Sequence, residues 1–363
     1  MIKVMVVDDS AFMRKMLSDL IEQDGRIQVI ATARNGVDAL EKISKYNPDV
    51  ITLDVEMPVM NGIEALKNIM ARHPKPVIMV SSTTKEGADT TIQAMEFGAF
   101  DFIPKPSGSI SLDIYKVQND LNNKIVHAAR TPLKILNKSN ENNITTETDP
   151  NRLIESTRNF VVRENNNNLP LLDSRMIVAI GTSTGGPKAL QKILPEIRED
   201  FPAPILIVQH MPKGFTKSLS ERLNKLSNIT VKEAEDGEIL KKGIAYIAPG
   251  GYHLKVRGVG TSVVVKLDQS PLMNGHRPSV DTMFYSLAQL KDQDVLAVIL
   301  TGMGSDGTKG LKVLKESNKT IALAESEATA IVYGMPRAAI ESKYVDDVVT
   351  LNKVATTIEK YSI

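Results

Sequence analysis

Ten of the 43 residues from Thr131 to Asp173 are asparagine, four of them consecutive at Asn165–Asn168, and apolar periodicity fades across the stretch. No core can run through such a segment, because it offers too little apolar surface to offset the entropy of ordering it. The chain is therefore expected to fold as two bodies, residues 1–130 and 174–363, joined by 131–173. Its 363 residues are what two domains of ordinary size need. Inside the joining segment Leu153, Ile154 and Phe160 form a short amphipathic stretch able to pack against one of the domains.

Both bodies alternate short apolar runs with stretches of helical period, which predicts parallel sheets covered by helices on both faces, an α/β class of two doubly wound domains. In the first body the expected strands are 2–7, 27–32, 49–53, 76–80 and 100–103. Ile114, Val117, Leu121 and Ile125 recur at steps of three and four and mark a closing amphipathic helix. In the second, the expected strands are Met176–Ile180, Ile205–Val208, Ala245–Ala248, Val295–Leu300 and Ile321–Ala324. A net charge of +1 gives no global pull toward nucleic acid or an anionic membrane, so neither is expected as a partner. The absence of cysteine removes disulfides, thiolate metal sites and a cysteine nucleophile, and suits a reducing compartment. No apolar run approaches the ~18–20 residues of a membrane span, so a cytoplasmic protein without membrane insertion is expected.

Polar residues then fall where such sheets bind ligands, at the carboxyl ends of the strands. Asp8 and Asp9 follow the first strand, Asp54 the third, Ser81 ends the fourth and Lys105 follows the fifth. Three converging carboxylates repel one another, and a hard divalent cation with oxygen ligands, Mg²⁺ foremost, relieves them. A carboxylate nucleophile, a metal, an ammonium and a hydroxyl together suit phosphoryl transfer onto an aspartate. Any one of these residues alone would read as a solvated turn residue. Taken together, VVDDS at 6–10, LDVEMPVMNG at 53–62, VSS at 80–82 and KP at 105–106 resemble a two-component receiver domain, of flavodoxin-like fold. The resemblance implies Asp54 as phospho-acceptor, metal binding by Asp9, Asp54 and the backbone carbonyl of Glu56 with Asp8 nearby, and Ser81 and Lys105 as phosphate-sensing residues. Phe102 stands where receivers often carry a mobile aromatic, although an aromatic in a strand is ordinarily packing.

In the second body, Gly181-Thr182-Ser183-Thr184-Gly185-Gly186 follows an apolar strand and leads through Pro187 into a helix. Such a strand, tight turn and helix lift a serine out of the sheet edge, next to backbone N–H groups that favour a developing anion. A phosphate-binding loop would need Lys and Ser/Thr directly after the second glycine, where Pro187 and Lys188 stand. A purely structural glycine turn is the plainer alternative. Of the five histidines, His210 ends the neighbouring strand and comes within reach of Ser183. His73 and His127 belong to helices of the first body; His253 and His276 fall in loop-like segments with no tie to Ser183, although His276 could line the cleft. Asp306, after the strand Val295–Leu300, would orient His210. The same segment also fits a dinucleotide fingerprint, with glycines 302, 304 and 307 and Glu325 beyond the next strand, and that nucleotide-binding output stays open on these residues alone.

GTSTGG at 181–186, QHMP at 209–212, EAEDGE at 233–238, YIAPG at 246–250, RPSVD at 277–281, LTGMGSDG at 300–307 and GMPRAA at 334–339 resemble the chemotaxis protein-glutamate methylesterases, the CheB family. Thr182 stands where many members would have Ala. The resemblance implies a Rossmann-like esterase domain whose nucleophile, base and orienting acid are Ser183, His210 and Asp306. The oxyanion donors would be Met303 N–H and Thr184. The implied partners are methylated chemoreceptor helices and a chemotaxis histidine kinase, with hydrolysis of glutamate methyl esters and deamidation of particular glutamines as the activities. No cofactor is implied at the esterase site.

Overall fold

The computed structural model describes residues 1–105, 112–132 and 175–362; the stretch at Leu153, Ile154 and Phe160 lies outside them. Helix and strand alternate through the first body: β1 (Ile2–Val7), α1 (Ala11–Glu22), β2 (Ile27–Ala33), α2 (Gly36–Tyr46), β3 (Val50–Asp54), α3 (Gly62–Arg72), β4 (Val77–Ser81), α4 (Lys85–Glu96), β5 (Asp101–Pro104) and α5 (Leu112–Arg130). The parallel sheet runs β2-β1-β3-β4-β5. Every residue of β3 and β4 is buried, as a central strand covered on both faces requires. Helix starts are written locally: Ser10, Asn35, Asn61 and Thr84 each accept a backbone N–H of the first turn of α1 to α4.

The second body begins with β6 (Met176–Thr182), α6 (Gly186–Ile193), β7 (Ile205–Gln209), α7 (Phe215–Leu226), β8 (Thr230–Glu233) and β9 (Ile244–Ile247). A hairpin follows, β10 (His253–Val259) and β11 (Ser262–Asp268), then α8 (Val280–Leu287), β12 (Asp294–Ile299), α9 (Thr308–Ser317), β13 (Thr320–Glu325), α10 (Met335–Glu341), β14 (Asp347–Val349) and α11 (Leu351–Tyr361). Seven parallel strands run β14-β13-β12-β6-β7-β9-β8. The fold is thus two parallel-sheet α/β bodies, of five and seven strands. Strands β8 and β14 were not foreseen, being only four and three residues long; nor was the β10–β11 hairpin. His253 is accordingly not in a loop: it opens β10, buried, with Nε2 on the Pro271 carbonyl at 3.1 Å.

Strand order reverses between β1 and β3 in one sheet and about β6 in the other, and a crevice opens at the carboxyl ends beside such reversals. The polar residues singled out above stand at those two edges. Among the described residues no helix is long and apolar enough to cross a membrane.

Candidate active site and phosphorylation site

Strands β7, β6 and β12 lie side by side, and their ends assemble the edge that carries Ser183. Thr182 pairs with Gln209, so the next residues, Ser183 and His210, are neighbours, and His210 N–H donates to Thr182 O at 3.1 Å. On the other side Ser183 N–H donates to Thr301 O at 3.0 Å, just beyond β12. Gly302 comes so close that a Cβ there would lie 2.8 Å from Ser183 Cβ, which only glycine tolerates. Gly185, at φ +80°, turns the chain from Ser183 into α6, where Pro187 occupies the first turn.

His210 Nε2–H donates to Asp306 Oδ2 at 2.8 Å, and both side chains are almost wholly buried. The other ring nitrogen, Nδ1, is buried without a hydrogen-bond partner among the described residues. Asp306 is held from several directions: Val280 N–H at 2.7 Å, Ser279 Oγ at 2.9 Å, Asn274 Nδ2 at 2.9 Å and Asp281 N–H at 3.2 Å. Burial alone would raise its carboxyl, but the hydrogen bond and charge of His210, with the Val280 N–H, hold it far below the usual carboxylate range. Two of these donors are the first N–H groups of α8, where a carboxylate is favoured. Asp306 is therefore a fixed anion set against the His210 imidazole. No hydrogen bond engages Ser183 Oγ or Met303 N–H among the described residues. The Thr184 hydroxyl donates to Asp101 Oδ2 of the first body at 2.7 Å.

Three more residues complete this edge: Asn274 and Ser279, to which sequence reasoning gave no role, and His276, which it allowed as a cleft residue without a tie to Ser183. Asn274 and Ser279 hold Asp306, and His276 lies flat on His210 with ring centroids 3.9 Å apart and planes 11° from parallel. A further legible signal was Asn274-Gly275, a dipeptide that favours a tight turn with positive φ at both positions, here +53° and +83°.

At the other edge, Asp8, Asp9 and Asp54 each offer a carboxylate oxygen within 4.8 Å of the others. Lys105 Nζ lies 2.7 Å from Asp54 Oδ2 and 3.7 Å from Asp8 Oδ2. Burial pushes Asp54 up to about 6 despite the Lys105 hydrogen bond, and raises Asp8 as well. Asp8 Oδ2 is buried without a hydrogen-bond partner. Three carboxylates with one ammonium and one orphaned oxygen fit a hard divalent cation. The Ser81 hydroxyl faces away, donating to Gly87 O at 3.0 Å in the first turn of α4.

A family model described as CheB methylesterase matches residues 178–358, and one described as response regulator receiver domain matches 4–113. A protein-glutamate methylesterase/protein-glutamine glutaminase of Geobacillus kaustophilus is 55% identical, over 98% of this chain and 97% of its own. That of Bacillus subtilis is 48% identical, over 99% and 98%. The chain belongs to the CheB methylesterase family. The crystal structure of the Thermotoga maritima CheB methylesterase catalytic domain is 47% identical, covers 51% of this chain and 97% of its own, and superposes with a TM-score of 0.49.

In this CheB-family chain the receiver lies against the esterase edge. Phe102 of β5 is buried and stacks on Phe215 of α7, centroids 4.6 Å apart. Glu96 of α4 accepts from Nε and one terminal nitrogen of Arg222 in a forked pair. Met303, Ile331 and Val332 pack into the cluster that holds Leu121, Ile125 and Ala128 of α5.

Glu325, which a dinucleotide fingerprint would place on a ribose, is fully buried: Oε2 accepts Thr301 N–H at 2.8 Å and Oε1 the Thr329 hydroxyl at 3.0 Å. Burial raises its carboxyl from 4.5 to about 7. An acid raised by folding costs stability as pH climbs from its unfolded to its folded value, here between about 4.5 and 7. Glu325→Gln keeps an acceptor for Thr301 and removes that cost. The variant's gain over wild type in thermal unfolding is expected to be larger at pH 8 than at pH 5, by on the order of 2–3 kcal/mol. An equal gain at both pH values would contradict this account.

Proposed function

We propose that the chain hydrolyses glutamate methyl esters on chemoreceptor helices and deamidates particular glutamines, under control of phosphorylation at Asp54. Residues 1–130 form the regulatory domain, 174–363 the catalytic domain, and 131–173 join them. The observation that carries the reading is the fixed pair His210–Asp306, placed one strand from the unengaged Ser183 hydroxyl.

In the proposed reaction Ser183 Oγ attacks the ester carbonyl while its proton passes to His210 Nδ1, the nitrogen that Asp306 leaves free. Collapse of the tetrahedral adduct breaks the bond to the methoxy oxygen, which leaves as methanol with that proton. His210 then takes a proton from water, whose oxygen attacks the acyl carbonyl; the bond to Ser183 Oγ breaks, and His210 returns the proton to that oxygen as the glutamate is freed. Asp306 holds the ring and offsets its transient charge. The oxyanion is met by Met303 N–H and Thr184, one such donor being worth about 2.7–4 kcal/mol of barrier.

In the receiver, Asp54 would accept a phosphoryl group from a chemotaxis histidine kinase. Asp8, Asp9, Asp54 and the Glu56 carbonyl would hold Mg²⁺, which supplies charge neutralisation at the phosphoryl oxygens. Lys105 is already on Asp54, and Ser81 would have to turn from Gly87 to reach the new group. The direct test is methanol release from methylated receptor in the presence of a small-molecule phosphodonor. Absence of release from a folded, phosphorylated chain would overturn the reading.

A further inference from the structure

We infer that His276 is a positioning residue for His210, a flat ring that holds the imidazole against tilting. The inference rests on the reading of His210 as the general base. A single hydrogen bond from Nε2 to Asp306 fixes one point of the ring and leaves it free to swing about that bond. A second ring lying 3.9 Å away and 11° from parallel removes that freedom on one face.

The support is itself rigid. Met273 and His276 exchange two backbone hydrogen bonds, Met273 N–H to His276 O at 3.0 Å and His276 N–H to Met273 O at 2.9 Å. They close a two-residue turn over Asn274 and Gly275, whose positive φ values match the hairpin turn their sequence prefers. The side chain of Asn274 reaches back to Asp306 Oδ1 at 2.9 Å and to Asp281 Oδ2 at 2.7 Å. One short turn thus grips both the acid that orients His210 and the ring that lies on it. No hydrogen bond engages the His276 ring among the described residues, and its outer side is exposed, so its contact with His210 is through the ring face. A misplaced base is costly: an error of ~1 Å at a reacting group loses about 100-fold in rate.

The test uses the full-length chain with phosphodonor present, as wild type, His276→Ala and His276→Phe. In ¹⁵N-histidine NMR, the Nε2–H proton of His210, assigned by its loss in His210→Gln, is expected to exchange at least tenfold faster in His276→Ala and at the wild-type rate in His276→Phe. Methanol release should follow: kcat lowered about 10- to 100-fold in the alanine variant with KM little changed, and restored to within a few-fold by phenylalanine. A His210 proton that exchanges at the wild-type rate in the alanine variant would overturn the inference. Equal loss in both variants would overturn it too, since an imidazole nitrogen rather than a flat ring would then be required. A wild type that releases no methanol defeats the esterase reading alone, because the proton exchange still decides whether His276 holds His210.

Discussion

Alanine in place of Ser183 is expected to lower methanol release by roughly 10⁴- to 10⁶-fold, the range found when a serine hydrolase loses its nucleophile. Stability should change little, because no hydrogen bond engages Ser183 Oγ among the described residues and the tight turn is built by its neighbours. His210→Ala should fall to the same level, and the double variant no lower, since nucleophile and base act as one unit. Asp306→Asn should retain a weak residual rate, because the orienting acid is not itself a reactant. That variant also turns an amide N–H₂ toward a ring of donors, so a lower unfolding temperature should accompany the lost rate. The measurement is methanol release by highly purified variants, and near wild-type turnover in Ser183→Ala would remove the triad.

Freeing the esterase edge from the receiver is expected to raise turnover about 5- to 150-fold, the span of a coupling free energy of ~1–3 kcal/mol. In the structure the receiver takes the Thr184 hydroxyl through Asp101 and packs α5 against Met303, so both proposed oxyanion donors lie under it. Tethering makes that contact intramolecular, and even a modest interface stays well populated. Phosphate on Asp54 would draw on Ser81 and Lys105, at the ends of β4 and β5, and Lys105 lies three residues beyond Phe102 at the seam. Residues 174–363 alone should exceed the untreated full-length chain, and a phosphodonor should activate wild type but not Asp54→Ala. Equal rates for fragment and full chain, with no phosphodonor response, would leave the receiver without a gating role.

Much of the architecture was legible because parallel strands buried on both faces must be continuous apolar runs, as at Val77–Ser81 and Ile205–Gln209. The two margin strands of the second sheet escaped because they are short: Thr230–Glu233 has one buried residue, and Asp347–Val349 is only three residues long. The residues at the two edges could be named because strand ends converge wherever strand order reverses. What surrounds them could not. Asn274 and His276 reach Asp306 and His210 from a turn outside the sheet and Ser279 from the N-cap of α8, and no periodicity reports where such segments land. Phe102 carried two readings in the sequence, and its stack on Phe215 exists only once the two bodies meet.

The polar groups at that meeting surface are unevenly shared. Lys124 is mostly withdrawn from solvent, yet its partners Asp101, Asp120 and the Phe102 carbonyl all belong to the receiver. Among the described residues the forked Glu96–Arg222 contact is the one ion pair across the seam, and it is partly exposed, a setting in which such pairs contribute about 0–1 kcal/mol. Parting the two bodies therefore leaves Lys124 with its own counter-charges. What holds them together is chiefly apolar surface: the Phe102–Phe215 stack, and Met303, Ile331 and Val332 against α5. Contact of that kind weakens on cooling and tolerates salt. If that contact restrains the esterase edge, the restraint is expected to release more readily in the cold and to respond little to ionic strength.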